Sequence, residues 1–349
     1  LLNYLISRTP EFYKSLPKVD LHRHLEGSLR FETVRELARS HGLDLPPTGQ
    51  LRSMVQIRED EPYTFTNFLS KFATLRLFYR SPEIITRLAR ESIADAAADN
   101  VRYLELRFTP VALSRAQDFS LGQVMDWVIE GVKQAEQEFQ ITTRLIASVN
   151  RHESADLAAQ VATLAAERIE QGVVGLDLAG DEVGYSAEPF APVIQSAKQN
   201  GLHISIHAGE WNTGANVTQA IELLGAERIG HGIRVLEDPQ AVELARQHKI
   251  PFEVCISSNY QSGAVSTLSD HPLPDMLQAG LNVTINTDDP SISQIELSDE
   301  YRLACESLGL TLGELSERVI CAAQAAFLPE NERQRLVLTL ADEYAKILA

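Results

Sequence analysis

The sequence is short of cysteine, of basic residues and of long apolar runs. Only Cys255, Cys305 and Cys321 occur in its 349 residues, too few and too scattered for a disulfide framework or a cysteine zinc cage. Lys and Arg number 31 against 48 Asp and Glu, a formal net charge of −17. A surface this acidic repels phosphate backbones and anionic lipid, which argues against nucleic acid or a membrane surface as partner. No apolar run reaches bilayer-spanning length. The opening LLNYLISRTPEFYKS has no basic start leading into a long apolar stretch, so no secretory signal is expected. No linker or low-complexity tract breaks the chain, and a single domain over residues 1–349 is expected. What is present is a globular balance, 44% hydrophobic and 23% charged, with material for one deep core. These features together predict a cytoplasmic enzyme.

Eight short runs rich in Val, Ile and Leu read as strands: 18–26, 101–110, 141–150, 173–180, 202–210, 228–234, 251–259 and 281–290. Helical patterns separate most of them, such as SADLAAQVATLAAERIEQG before the fourth and DPQAVELARQHKI before the seventh. Strands alternating with helices imply parallel pairing with right-handed crossovers. Eight such units predict an α/β fold of the (β/α)8 TIM-barrel type. Residues 31–100 hold several helical patterns (FETVRELARS, NFLSKFATLRLFYR, PEIITRLARESIADAAADN), a helical insertion on the first βα loop. Further C-terminal helices follow the eighth strand.

In such a barrel, chemistry is built at the C-terminal ends of the strands. Those ends carry His22 and His24, Gly180, His207 and Glu210, His231, and Asp288 with Asp289. His22 and His24, two apart on a strand, point the same way while Arg23 faces the outer helices. Alone the pair is equally a hydrogen-bonded core feature. With His207 and Asp288 it makes three nitrogens and one oxygen around an open position, a set suited to a catalytic zinc. Glu210 is either a helix N-terminal acid or, if burial raises its pKa, a general acid. His231, between two glycines, is a core histidine or a base and electrostatic partner of the attacking water. Pro290 ends the strand and leaves Asp289 free to accept a hydrogen bond from a substrate. The other histidines, 41, 152, 203, 248 and 271, look like surface, helix-end or core positions. Ser257-Ser258 lacks a nucleophile-elbow context, and Cys255 reads as a buried mid-strand residue.

At these residues the sequence resembles the adenosine deaminase family of metal-dependent amidohydrolases. The matching segments are LPKVDLHRHLEGS, GLDLAGDE, HAGE, ERIGHGIR, SSN followed by HPL, and NTDDP, in the family's order from Leu16 to Pro290. The resemblance implies one Zn2+ per chain on His22, His24, His207 and Asp288. It implies Glu210 as proton donor to purine N1 and His231 as the residue that orients and helps activate the attacking water. It further implies Gly180 as backbone donor to N3, Asp289 as partner of N7, and Phe65 and Phe68 as an apolar gate over the pocket. SSN and HPL receive no role. The implied reaction is hydrolytic deamination of adenosine and 2′-deoxyadenosine, with a purine nucleoside as small-molecule partner. The oligomeric state is left unassigned. The family typically has Asp after HxHL to hold the ribose 5′-hydroxyl. Here Glu26 stands there, similar to the HLEG of adenine and other purine-type deaminases, so adenine or a 5′-modified adenosine (aminofutalosine-type) is the alternative substrate.

Two rivals stand outside the deaminases. Another metal amidohydrolase with two metals on a carboxylated lysine would need that lysine at the end of strand four, where LDLAGDE has none. A non-catalytic purine-binding barrel would show zinc with no turnover on any aminopurine.

Overall fold

Each apolar run becomes a strand, because a strand buried on both faces needs a near-continuous apolar stretch. In a computed structural model describing residues 8–42 and 46–349, these are β1 (Lys18–His24), β2 (Val101–Phe108), β3 (Thr142–Asn150), β4 (Val173–Ala179), β5 (His203–Ala208), β6 (Arg228–His231), β7 (Pro251–Val254) and β8 (Asn282–Ile285). They pair in parallel in the order β1 to β8. The chain after β8 returns to β1. Asp288 N–H donates to the His22 carbonyl at 2.7 Å, and His24 N–H donates to the Asp288 carbonyl at 2.8 Å. Those two bonds close the sheet into the expected (β/α)8 barrel and carry Asp288 to the end of β1.

The helices before β4 and β7 span Ala155–Ala166 and Pro239–Gln247. Their N-termini are held by Ser154, which accepts from Leu157 N–H, and Asp238, which accepts from Gln240 N–H. The insertion after β1 holds helices Phe31–Ser40, Thr48–Val55, Phe65–Leu75 and Pro82–Ala98. Helices Leu297–Glu306, Leu312–Ala325 and Glu330–Leu348 follow the barrel. Among the described residues, no helix is long and apolar enough to cross a membrane.

Two readings are corrected. The pattern taken as one helix through Arg80 stops at Leu75 and tightens into a 3-10 turn over Arg76–Phe78. The seventh run does not continue as strand to Asn259. It ends at Val254, and Ile256–Gln261 is helical. The cause lies 44 residues away: the buried Glu300 carboxylate accepts from Ile256 N–H at 2.6 Å and from Ser257 N–H at 3.1 Å. Cys255 is therefore the residue before that helix, buried as expected but not mid-strand.

Barrels of this type usually fill their interior with layers of branched apolar side chains. Here Glu105, Arg107, Asp177, Arg228 and Glu253 occupy it, each at most 1% exposed. Glu253 accepts from Arg228 Nε at 2.6 Å and Arg107 Nη2 at 2.8 Å. Arg228 also pairs with Glu105. Asp177 lies 3.5 Å from Arg107 Nη1, so each of these charges has an opposite charge beside it inside the barrel.

Candidate active site

His22 and His24 do project to one side of β1, with their Nε2 atoms 3.3 Å apart. Asp288 Oδ1 lies 3.3 Å from both. His207 completes the group, all four ligand atoms lying within 4.8 Å of one another. Two of the imidazoles are oriented from behind. His22 Nδ1 is 2.8 Å from Glu253 Oε2, and His207 Nδ1 is 2.9 Å from Asp177 Oδ1. Each Nδ1–H donates a hydrogen bond to its carboxylate, which leaves each Nε2 lone pair aimed at the common centre. Burial holds the His24 imidazole well below its usual pKa, so it too offers a lone pair. The burial of Asp288 opposes ionisation, but the imidazoles around it, His22 foremost, bring its carboxyl well below the usual range. Converging imidazoles and one carboxylate, with His22, His207 and Asp288 held by further hydrogen bonds, fit a divalent cation. Gly230 permits this crowding: a Cβ there would lie 3.0 Å from His22 Cε1 and 3.2 Å from His207 Cγ.

Glu210 sits on the turn after β5, largely buried. Burial, then Asp288 and Glu182, push its carboxyl well above the usual carboxylate range. His231 Nε2 faces it at 3.7 Å and faces Asp288 Oδ2 at 3.8 Å. Both His231 and Asp288 adopt left-handed backbone, φ +59° and +63°, a costly conformation for non-glycine residues that gathers at functional sites. Asp289 faces the same cleft. Burial, then Asp288 and Glu26, push its carboxyl well above the usual range, and Oδ1 has no partner in the protein. A carboxyl so placed can donate a hydrogen bond as well as accept one.

These groups open onto a cleft lined also by Gly180, Phe65, Phe68, Trp211 and Ser258, a concave, largely apolar wall around a few convergent polar groups, as small-molecule sites are built. Gly180 has φ +91°, which glycine alone adopts freely. Phe65 packs on Trp211 with ring centroids 4.7 Å apart, tying the insertion to the HAGE turn. Glu26 lines the cleft beside the end of β2. Its Oε1 accepts from Thr109 N–H at 2.7 Å, while Oε2 is buried without a partner. Arg76, on the 3-10 turn, also lines it. Among the described residues its guanidinium has no acidic side chain within ion-pair distance, and Nε is buried without a hydrogen bond.

Several residues here were missed from the sequence. Asp177, Glu253 and Arg107 lie inside apolar runs (GLDLAG, PFEVC, LELRF), and charge within a two-sided apolar strand was the available signal. Glu182 is another. Its carboxylate accepts backbone N–H groups from Gly209 at 2.9 Å, Glu210 at 2.7 Å, Asn212 at 2.9 Å, and also Trp211. Four donors from one turn on one acidic side chain pin the backbone that carries Glu210. Glu182→Gln turns one oxygen into a donor facing donors. The expected result is a stability loss of about 1–3 kcal/mol in chemical denaturation, with kcat lowered more than KM changes. An unaltered unfolding midpoint would contradict this anchoring.

A parallel barrel whose mouth gathers three imidazoles, a carboxylate and a buried acid defines a hydrolase of the amidohydrolase class. The profile of the family described as adenosine deaminase matches residues 17–343. The "Adenosine deaminase" of Vibrio vulnificus (strain CMCP6) is 38% identical over 327 residues, covering 93% of this chain and 98% of that protein. The Arabidopsis protein ADAL, solved as a complex with IMP, superposes with TM-score 0.87 at 29% identity, covering 96% of this chain and 99% of the other. An amidohydrolase from Burkholderia ambifaria, solved with bound Zn, superposes with TM-score 0.90 at 25% identity over 99% and 96%. The chain belongs to the adenosine deaminase family, hydrolases acting on C–N bonds.

Proposed function

We propose that the chain is a single-domain, zinc-dependent deaminase that converts adenosine and 2′-deoxyadenosine, with water, to inosine and 2′-deoxyinosine plus ammonia. The observation that carries this is the buried Glu210, its carboxyl pushed well above the usual range by burial, facing the same cleft as the cluster of His22, His24, His207 and Asp288. Those four residues would hold one zinc ion, which when bound supplies a Lewis acid that makes water nucleophilic at neutral pH. Glu210 gives its proton to purine N1, so negative charge does not accumulate on the ring as C6 is attacked. His231 orients the attacking water. The Gly180 N–H donates to N3, and the raised pKa of Asp289 supports donation to N7. Phe65 and Phe68 cover the base and keep bulk water out.

A second reading, a 5′-modified 6-aminopurine nucleoside, draws support from Arg76. A guanidinium that lines the cleft beside Glu26, without a direct salt bridge among the described residues, is a ready partner for an anionic group on the sugar. The discriminating measurement is turnover of zinc-loaded protein on adenosine, 2′-deoxyadenosine, adenine and adenosine 5′-monophosphate, by ultraviolet absorbance and ammonia release. Faster turnover of the two nucleosides supports the first reading, and preference for the monophosphate supports the second. Zinc content with no turnover on any of the four would sink both in favour of a purine-binding barrel.

A further inference from the structure

The SSN and HPL segments, to which no role attached in the sequence, meet behind His231. Asn259, His271 and His231 are all buried, at 0%, 3% and 1% exposure, and form one hydrogen-bonded file. Leu273 N–H donates to His271 Nδ1 at 3.2 Å. A backbone N–H can only donate, so His271 Nδ1 is bare and the ring proton lies on Nε2. Burial agrees with a neutral ring, pushing the His271 pKa down to about 3. His271 Nε2 lies 3.3 Å from Asn259 Oδ1, and a protonated nitrogen there requires the amide oxygen as its acceptor. The amide is thereby oriented, and its NH2 faces His231 Nδ1 at 3.1 Å. An amide NH2 also only donates, so His231 Nδ1 is the acceptor. The one proton left to that ring is on Nε2, the nitrogen facing Glu210 and Asp288.

We propose that Asn259 and His271 are positioning residues that lock His231 in its Nε2–H tautomer, so that His231 donates a hydrogen bond to the attacking water and does not take that water's proton. Direction passes along the file from a backbone amide, the only group in it whose polarity cannot reverse. The consequence for the water rests on the deaminase reading; the tautomer itself does not.

The test uses the full-length, metal-loaded protein labelled with 15N-histidine, with tautomers read from two-bond 15N–1H couplings. The expected spectrum shows His231 and His271 each with bare Nδ1 and protonated Nε2. Asn259→Asp keeps the shape but replaces the donor by an acceptor, and should move the His231 proton to Nδ1. With that tautomer kcat is expected to fall by ~10²-fold or more, with KM changed only about threefold, since a wrongly protonated catalytic histidine forfeits most of its contribution. His271→Leu, which lets the amide turn over, should lower kcat by about tenfold, and His271→Gln, which restores an N–H donor, should recover most of it. If Asn259→Asp does not fold, the His271→Leu and His271→Gln pair decides the same question. A wild-type His231 protonated on Nδ1 overturns the proposal, as does an Asn259→Asp protein with unchanged tautomer and kcat, or equal loss in the two His271 variants. Wild-type protein that deaminates no aminopurine overturns the functional reading instead, and the spectrum alone then decides the relay.

Discussion

Glu210→Gln is expected to lower kcat by ~10²–10⁴-fold while metal content and fold stay as they are. The amide has the size of the carboxyl it replaces, and the backbone at 210 is held by Glu182 at 2.7 Å rather than by the Glu210 side chain. What is lost is the transferable proton. Burial, then Asp288 and Glu182, keep the Glu210 carboxyl protonated well above the usual range. Gln can still hydrogen-bond N1 but cannot protonate it. The sign of the pH dependence follows. The competent form is the protonated one, so turnover persists below the raised pKa of Glu210 and falls as pH rises through it. That alkaline limb should vanish from the residual rate of the Gln variant. Near-normal turnover in Glu210→Gln would remove Glu210 from the role of acid.

Asp288→Ala is expected to abolish metal retention and, with it, turnover. Asp288 is the one anionic member of the four-residue set, and Ser258 Oγ donates to its other oxygen at 2.6 Å. Losing an outer partner of a metal ligand commonly costs ~10–100-fold in affinity, and losing the charged ligand itself should exceed that. Alanine is also strained at φ +63°, a conformation that Asp and Asn tolerate better. Asp288→Asn is therefore the companion variant, since it keeps the backbone and the shape and removes only the charge. Metal content after dialysis, and the loss of Tm when chelator is added, separate the cases. Wild-type protein should lose Tm on chelation, and neither variant should. Full metal occupancy in Asp288→Asn would show that the carboxylate is not a ligand.

Much of this site was legible along the chain because barrel geometry converts a linear fact into a spatial one. A residue at the C-terminal end of any strand in a closed parallel barrel arrives at the same mouth. His22, His24, His207, His231, Glu210 and Asp288 could therefore be grouped before any distance was known. What sequence could not show was which acid braces which imidazole. Glu253 lies 231 residues from His22, and Asp177 lies 30 from His207. In the sequence each is only a charge within an apolar run. Asp289 illustrates a different gap. Its position was readable, but whether it accepts or donates depends on burial and on Asp288 and Glu26 beside it. Arg76 escaped notice because its helix was read as running to Arg80, whereas the tightened turn at 76–78 places it on the cleft. In the sequence His271 is one of five histidines at surface, helix-end or core positions, and only its contacts with Leu273 and Asn259 give it a task.

The sequence by itself determined the architecture and the inventory. Apolar runs separated by helical patterns demand a barrel, and the residues ending those runs are the ones that can react. Both follow from local periodicity, which folding preserves. Tertiary contacts supply the surroundings and the orientation. They bury Glu210 beside Asp288 and Glu182, which raises its carboxyl pKa, bring His22 and His207 together with Asp288, and set Asn259 against His231 Nδ1. Those properties belong to electric fields and hydrogen bonds between residues far apart in the chain. They come into being only when the barrel closes and water is excluded.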